Sequence, residues 1–359
     1  MQAKCSVAEQ SGVAMEAVNE LKSGCEAVRL ASKLCEVVQQ QLLESEKVDK
    51  EDSSPVTVAD YGAQALVAWS LMRSMGTISL VAEEDSADLR KPDSAGMITR
   101  IAGLVNRIIA DVPGTEPLSE DSILDLIDMG GSSGGAEGTH WVLDPIDGTR
   151  GFVAMRQYAV CLGLIKNGEV VQGVLGCPNL PRARIRVVDG ESGAAAQTLK
   201  DDVGCLFSAV KGQGAKTGLL WDDQLPTEEI SVENLSDMGE VQFMESFDSR
   251  HSNHGITAAV ADKLGMTLPA LRMDSQVKYG ALSRGDATLF MRFPPADYRE
   301  KIWDHCAGTI IVTEAGGKIT DASGNPLDFS KGRWLDFDRG IIAAPPEVHQ
   351  KVLEALQDC

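Results

Sequence analysis

Apolar residues recur at helical spacing through the first third of the chain, then gather into short runs that alternate with helical stretches. Ala27, Leu30, Ala31, Leu34, Val37, Val38 and Leu42 share one helical face. They predict helix over 13–45, with Gly24 dividing it into two pieces. The polar stretch 47–54 before Pro55 reads as a loop. A second helix is expected over 61–75, with Ala65, Leu66, Ala68, Trp69 and Met72 facing inward and Asp60 at its start. A strand over 78–82, a helix over 97–110 and a short helix over 121–129 follow. The run Gly130 to Gly135 reads as a flexible joint. Trp141, Val142 and Leu143 form a buried strand. Strands over 158–166 and 170–177 are joined by Asn167 and Gly168, a hairpin signal. Residues 178–196 are poor in apolar positions and carry Arg182, Arg184 and Arg186, as an exposed loop or edge strand would. Beyond them, strands over 205–211, 242–246, 271–274, 287–293, 318–320 and 340–344 alternate with helices over 255–264, 276–284, 301–315 and 348–356. Residues 212–218 read as a glycine-rich turn. This alternation predicts α/β layering.

Composition narrows what such a fold serves. The 359 residues are 43% hydrophobic and 5% aromatic, enough for one large domain or two medium ones. The formal net charge of −20 repels nucleic-acid polymers and anionic membranes. It does not exclude a small anionic substrate, because metal ions and a local basic patch reverse the sign at one site. No apolar run is long enough to span a bilayer. Residues 1–10 lack the features of a signal peptide and of an Arg-rich transit segment. The eight cysteines include no Cys-x-x-Cys pair, which removes zinc and thioredoxin-like readings. Buried free thiols are expected, with a regulatory disulfide left open.

The chemistry centres on His140 to Phe152. After the buried strand comes Asp144-Pro145-Ile146-Asp147-Gly148-Thr149, read as a stiff turn. Pro145 fixes φ and Gly148 permits a positive φ or a close backbone approach. Two carboxylates three residues apart repel each other unless a cation lies between them. Oxygen ligands of this kind suit Mg²⁺. Gly148 and Thr149 offer N–H groups and a hydroxyl to a phosphate. An ordinary Asp-Pro, Asp-Gly surface turn has the same composition. Further acids follow apolar stretches at Asp60, at Glu83 and Glu84, and at Asp304. Taken singly, each has an ordinary alternative: an N-cap for Asp60, solvated loop acids for Glu83 and Glu84.

In order and spacing these segments resemble the inositol monophosphatase superfamily: Val58-Ala59-Asp60 before a helix, the acid pair after a strand, the Asp144 to Thr149 hexapeptide, and Trp303-Asp304-His305. His251 to His254, Asp274 to Tyr279 and Tyr298 to His305 narrow the resemblance to the plant and algal 3′(2′),5′-bisphosphate nucleotidases. It covers residues 27 to 342. The resemblance implies a layered αβαβα architecture with the site between two parts. Residues 1–195 would carry most metal ligands, and residues 196–359 the nucleotide-binding groups and Asp304. It implies Glu83, Asp144, the Ile146 carbonyl, Asp147 and Asp304 as the Mg²⁺ shell, with Asp60 and Thr149 activating the attacking water. Gly148, Thr149, His251, Ser275, Lys278, Arg292 and Asp304 would hold substrate. As lone residues, Lys278 reads as a helix-surface charge, Arg292 as a strand-end charge and His251 as a loop histidine. Arg150 stands where the resemblance leads one to expect lysine.

The implied function is Mg²⁺-dependent, Li⁺-sensitive removal of the 3′-phosphate from adenosine 3′,5′-bisphosphate and from 3′-phosphoadenylyl sulfate. An inositol polyphosphate 1-phosphatase, or a redox or ligand sensor with weak catalysis, are the alternatives. The plant-like match points to a chloroplast or mitochondrion, with the cytoplasm as alternative, and to a monomer.

Overall fold

The computed structural model describes residues 7–45, 55–185, 202–249, 252–295 and 298–357. Two long helices open it, α1 (Val7–Ser45) and α2 (Pro55–Met75). Helix α1 runs unbroken through Gly24, against the expected division. A Cβ at Gly24 would meet the Trp141 indole at 3.4 Å. The glycine sits inside the helix where it faces the sheet, at ordinary packing distance, and does not break it. Helix α2 starts at Pro55, a residue pre-set for the first helical position. Asp60 thus falls inside the helix, and the N-cap reading fails.

Next come β1 (Leu80–Ala82), α3 (Ala95–Ile109), α4 (Glu120–Asp128), β2 (Thr139–Asp147), α5 (Thr149–Val153), β3 (Ala159–Lys166) and β4 (Glu169–Pro181). With β5 (Val203–Val210), β6 (Ala215–Leu219) and β7 (Glu228–Ile230) these strands make a seven-stranded sheet in sequence order. Only the β1–β2 pair in it is parallel. Asn167 and Gly168, both at positive φ, turn the expected hairpin between β3 and β4. The expected turn over 212–218 ends at Gly214, because β6 begins at Ala215. The Gly130 to Gly135 run is not a loose joint. Gly131 bridges Val81, and Ala82 N–H donates to the Gly130 carbonyl at 2.9 Å.

The chain continues through β8 (Phe243–Ser246), α6 (His254–Lys263), β9 (Leu271–Met273), α7 (Val277–Arg284), β10 (Leu289–Arg292), β11 (Glu300–Lys301), α8 (Cys306–Glu314), β12 (Lys318–Asp321), β13 (Trp334–Leu335), β14 (Ile341–Ala344) and α9 (Pro346–Leu356). The second sheet has the order β12–β14–β10–β8–β9, and β11 pairs with β13 as a separate ribbon. The helix expected over 301–315 is shorter. Lys301 belongs to β11, Ile302–Asp304 is a 3₁₀ turn, and α8 starts at Cys306.

Helices α1 and α2 pack on one face of the large sheet, α7 and α8 fill the space between the sheets, and α9, with α6 against it, packs on the second sheet. The layers are αβαβα, as expected. Three apolar clusters match them: one around Leu34, Leu66 and Trp141, one around Phe207, Tyr279 and Ile311, and one around Met291, Ile342 and Val352. Cys25, Cys35, Cys161, Cys177, Cys205 and Cys306 are buried free thiols. Among the described residues no helix is long and apolar enough to cross a membrane.

Candidate active site

Strand register assembles the first acids. β1 runs parallel to β2 with Ala82 opposite Leu143. The next residues are Glu83 and Asp144, so two carboxylates leave neighbouring strand ends together. The following segment is a bulged strand end, not the expected turn. Asp144 pairs with Cys161 but Asp147 with Ala159, so three steps on β2 match two on β3. The extra residue re-aims the strand and leaves Asp147 facing the same space. Gly148 then adopts φ 88°, in the left-handed region, and a Cβ there would stand 2.8 Å from the Ser275 Cβ. A glycine is required on both counts. This close approach brings the Ser275 segment against α5, which opens with Thr149. The Thr149 hydroxyl lies 3.4 Å from the Ile146 carbonyl oxygen.

Elements beyond residue 240 complete the cleft. Ser275 sits at φ 66° between β9 and α7, and the Gln276 N–H donates to Asp147. Lys278, on α7, is buried and donates to the carbonyls of Ser275 (2.8 Å) and Met273 (3.1 Å). Arg292 ends β10, held by Glu300 at 2.6 Å. Asp304 ends the 3₁₀ turn and accepts from Lys301 N–H at 3.2 Å. Glu83, Asp144, Ile146, Asp147, Gly148, Thr149, Ser275, Lys278, Arg292 and Asp304 line one cleft of about 340 Å³. Asp60 lies behind it, buried on α2, which packs against α5. His251 lies outside the described residues. Arg150 lines the cleft mouth in an ion pair with Asp248.

Burial pushes Asp144 well above the usual carboxylate range, and Glu83, Asp147 and Asp304 add to it. Burial likewise raises Asp304, with Glu300 and Asp147 adding and Arg292 opposing. It raises Asp60, helped by Glu84 and Glu83, and it raises Glu83, helped by Asp147. Asp147 is raised by burial against the pull of Lys278 and the Gln276 N–H. Burial lowers Lys278 to about 8, with Asp147 and Asp274 opposing. The acids thus destabilise one another as anions. Asp144 Oδ1 is buried without a hydrogen-bond partner. A hard cation would answer both features, so the donor set fits Mg²⁺.

Sequence reasoning gave no role to Glu300, His305 or Gln276. Glu300, His305 and Asp304 bring ligand atoms within 4.8 Å of one another. Glu300 is already engaged: burial alone would raise it, but Arg292 and His305 hold it below the carboxylate range. Tyr279 is buried in the core, with its hydroxyl 2.7 Å from His305 Nδ1. Gln276 bonds the Trp303 carbonyl (2.8 Å) and accepts from Gly308 N–H (3.0 Å), tying α7 to the Asp304 turn. The signal these residues gave was their place in the segments Asp274 to Tyr279 and Tyr298 to His305, with Gln276 next to Ser275 and His305 next to Asp304.

The inositol monophosphatase family profile matches residues 24–359. The chain belongs to the inositol monophosphatase family. Membership makes it an enzyme of the phosphatase class. A rice protein (Oryza sativa) named 3′(2′),5′-bisphosphate nucleotidase is 49% identical over 94% of each chain. An Arabidopsis thaliana protein named 3′(2′),5′-bisphosphate nucleotidase 1 is also 49% identical, over 94% of this chain and 96% of its own. A protein from Emericella nidulans with the rice protein's name is 42% identical over 86% and 90%. These relatives bear out the resemblance carried by the motifs. The inositol monophosphatase from Anabaena (Nostoc) superposes with a TM-score of 0.56 at 18% identity, covering 96% of this chain and 97% of that one. It bears out the family fold.

Proposed function

We propose that this family member is a Mg²⁺-dependent 3′(2′),5′-bisphosphate nucleotidase. It removes the 3′-phosphate of adenosine 3′,5′-bisphosphate and of 3′-phosphoadenylyl sulfate. The observation that carries the reading is one cleft where four carboxylates, Glu83, Asp144, Asp147 and Asp304, face two cations, Lys278 and Arg292. The relatives' names supply the substrate class.

Glu83, Asp144, the Ile146 carbonyl, Asp147 and Asp304 would hold the metal. The chemistry such a metal would supply there is a lower pKa for the attacking water and neutralisation of charge on the leaving oxygen. Thr149 takes a proton from that water as its own moves to Asp60. Burial and the neighbouring Glu84 and Glu83 make Asp60 a willing acceptor. Water attacks phosphorus, the P–O3′ bond breaks, and the ribose oxygen takes a proton from solvent. Gly148 and Thr149 offer N–H groups to the reacting phosphate. Lys278 and Arg292 neutralise the phosphate that stays, Arg292 through its planar fork. Ser275 and His251 hydrogen-bond the nucleotide. The division of labour places most metal ligands in residues 1–195 and the nucleotide-side groups with Asp304 in residues 196–359. The protein works as a monomer in a chloroplast or mitochondrion.

Phosphate release from adenosine 3′,5′-bisphosphate, inositol 1,4-bisphosphate and inositol 1-phosphate, each with Mg²⁺ and with or without Li⁺, tests this. The expected result is preference for the nucleotide, lost with Li⁺ as it takes a Mg²⁺ position. Preference for an inositol phosphate overturns the nucleotide pocket and makes the chain an inositol polyphosphate 1-phosphatase.

A further inference from the structure

The geometry points to Arg333 as a positioning residue that holds Glu83 and Asp304 in place from distant parts of the chain. This rests on the metal-dependent reading above. The Arg333 guanidinium donates to the carbonyl of Ala82, to that of Gly130 at 2.9 Å and to that of Ser132 at 3.1 Å. Ala82 immediately precedes Glu83. The same guanidinium lies 4.8 Å from the Trp303 ring, and the Arg333 carbonyl accepts from Ile302 N–H at 3.2 Å. Ile302 and Trp303 form the turn that ends in Asp304. One residue therefore touches the backbone leading to Glu83 and both residues leading to Asp304.

The strand it grips needs such support. β1 is three residues long and edges the large sheet. Among the described residues its outer side meets the glycine-rich run, through the Val81–Gly131 bridge, the Ala82–Gly130 hydrogen bond and the Ser132 N–H donating to the Leu80 carbonyl at 3.1 Å. Short edge strands open readily. Arg333 closes that seam by binding carbonyls on both of its sides. The strap carrying Arg333 is itself fixed. Gly332, at φ 89°, leaves a Cβ only 2.9 Å from the Ser133 carbonyl oxygen, and Lys301 Nζ sits 3.3 Å from the Trp334 ring centroid. Three acceptors around one planar cation are a task for arginine. A lysine keeps the charge but not the fork. Glu83 held at a fixed distance from Asp304 is pre-organised for a cation. Glu83 on a loose edge must be ordered when the cation arrives.

Mn²⁺ binding followed by electron paramagnetic resonance, without substrate, tests this on the full chain, on R333A and on R333K, with thermal melts as the folding control. Loss of such an outer support typically weakens metal binding about 10-fold or more. That loss is expected for R333A, with a smaller one for R333K. In parallel, the Mg²⁺ concentration for half-maximal phosphate release should rise, while kcat at saturating Mg²⁺ stays close to that of the native chain. Native Mn²⁺ affinity in a folded R333A overturns the inference. If R333A does not fold, native affinity in a folded R333K overturns it equally. Failure of the native chain to bind Mn²⁺ overturns instead the metal-dependent reading beneath it.

Discussion

Asp60 is set apart from the other acids by where its helix begins. Because α2 starts at Pro55, its carboxylate is buried inside the helix and not exposed at an N-cap. A buried carboxylate with a raised proton affinity suits a proton acceptor. Asp60→Asn keeps the size and removes that capacity. Turnover should fall by about 10²-fold or more, with KM for the nucleotide nearly unchanged. Retained turnover would dismiss the Thr149–Asp60 pair. Lys278 gives a second residue-scale prediction. Its ammonium is the charged form below its pKa, which burial sets at about 8. KM for a bisphosphate should therefore rise as pH increases through 8, and Lys278→Met should have a high KM that is flat across the same range. A native KM that stays flat from pH 7 to 9 would remove Lys278 from phosphate binding. As lone residues both had ordinary readings, an N-cap and a surface charge, and it was the family resemblance that implied water activation for Asp60 and substrate binding for Lys278. Burial made the difference, and burial is a property of the assembled layers.

At the scale of elements, helix α8 sits directly on β3 and β4, and glycines make that contact. A Cβ at Gly173 would lie 2.5 Å from both the Ala307 carbonyl oxygen and Ile310 Cγ2. Gly173→Val should thus push α8 outward and displace the turn bearing Asp304. We expect a loss of about 1–3 kcal/mol in denaturant unfolding, with weaker metal binding in the folded fraction. An unchanged midpoint would show that α8 does not need this seat. The legible elements were those with a strong local period: the helical face from Ala27 to Leu42, and the β3–β4 hairpin with Asn167 and Gly168. What stayed hidden depended on partners far along the chain. β7, β11 and β13 are two or three residues long and exist only through their pairing. Gly24 reads locally as a breaker and becomes a packing contact once Trp141 is opposite. The Asp144 to Asp147 segment reads as a turn because it contains Pro145, and becomes a bulged strand once β3 is beside it. The acids that share the cleft were legible as acids that follow apolar runs. Their supports leave no pattern in sequence: Gln276 and Arg333 hold distant backbone groups, and Glu300 holds the side chains of Arg292 and His305.

Across the whole molecule, the net charge of −20 and a crowded nest of carboxylates make stability depend on pH and metal together. Folding raises the proton affinity of Asp144, Asp304, Glu83 and Asp60, and raises Glu84 to about 7. An acid raised by folding binds its proton more tightly folded than unfolded. Its stabilising contribution is therefore complete at low pH and is lost as pH rises through the folded value. In the metal-free chain these groups weaken the fold between the ordinary carboxylate range, about pH 4, and neutrality. A bound cation reverses the sign, because it favours the ionised acids and competes with their protons. Melting temperatures from pH 5 to 8, with EDTA and with Mg²⁺, should show the native chain falling with pH in EDTA and holding or rising in Mg²⁺. At a hundred times Kd the metal would add about 2.7 kcal/mol. Asp144→Asn removes one charge from the centre of the cluster. In EDTA at pH 8 it should melt above the native chain, and in Mg²⁺ it should gain little. An Asp144→Asn chain that gains as much from Mg²⁺ as the native chain would place the cation elsewhere, and the carboxylate cluster would then be a structural cost without a ligand to offset it.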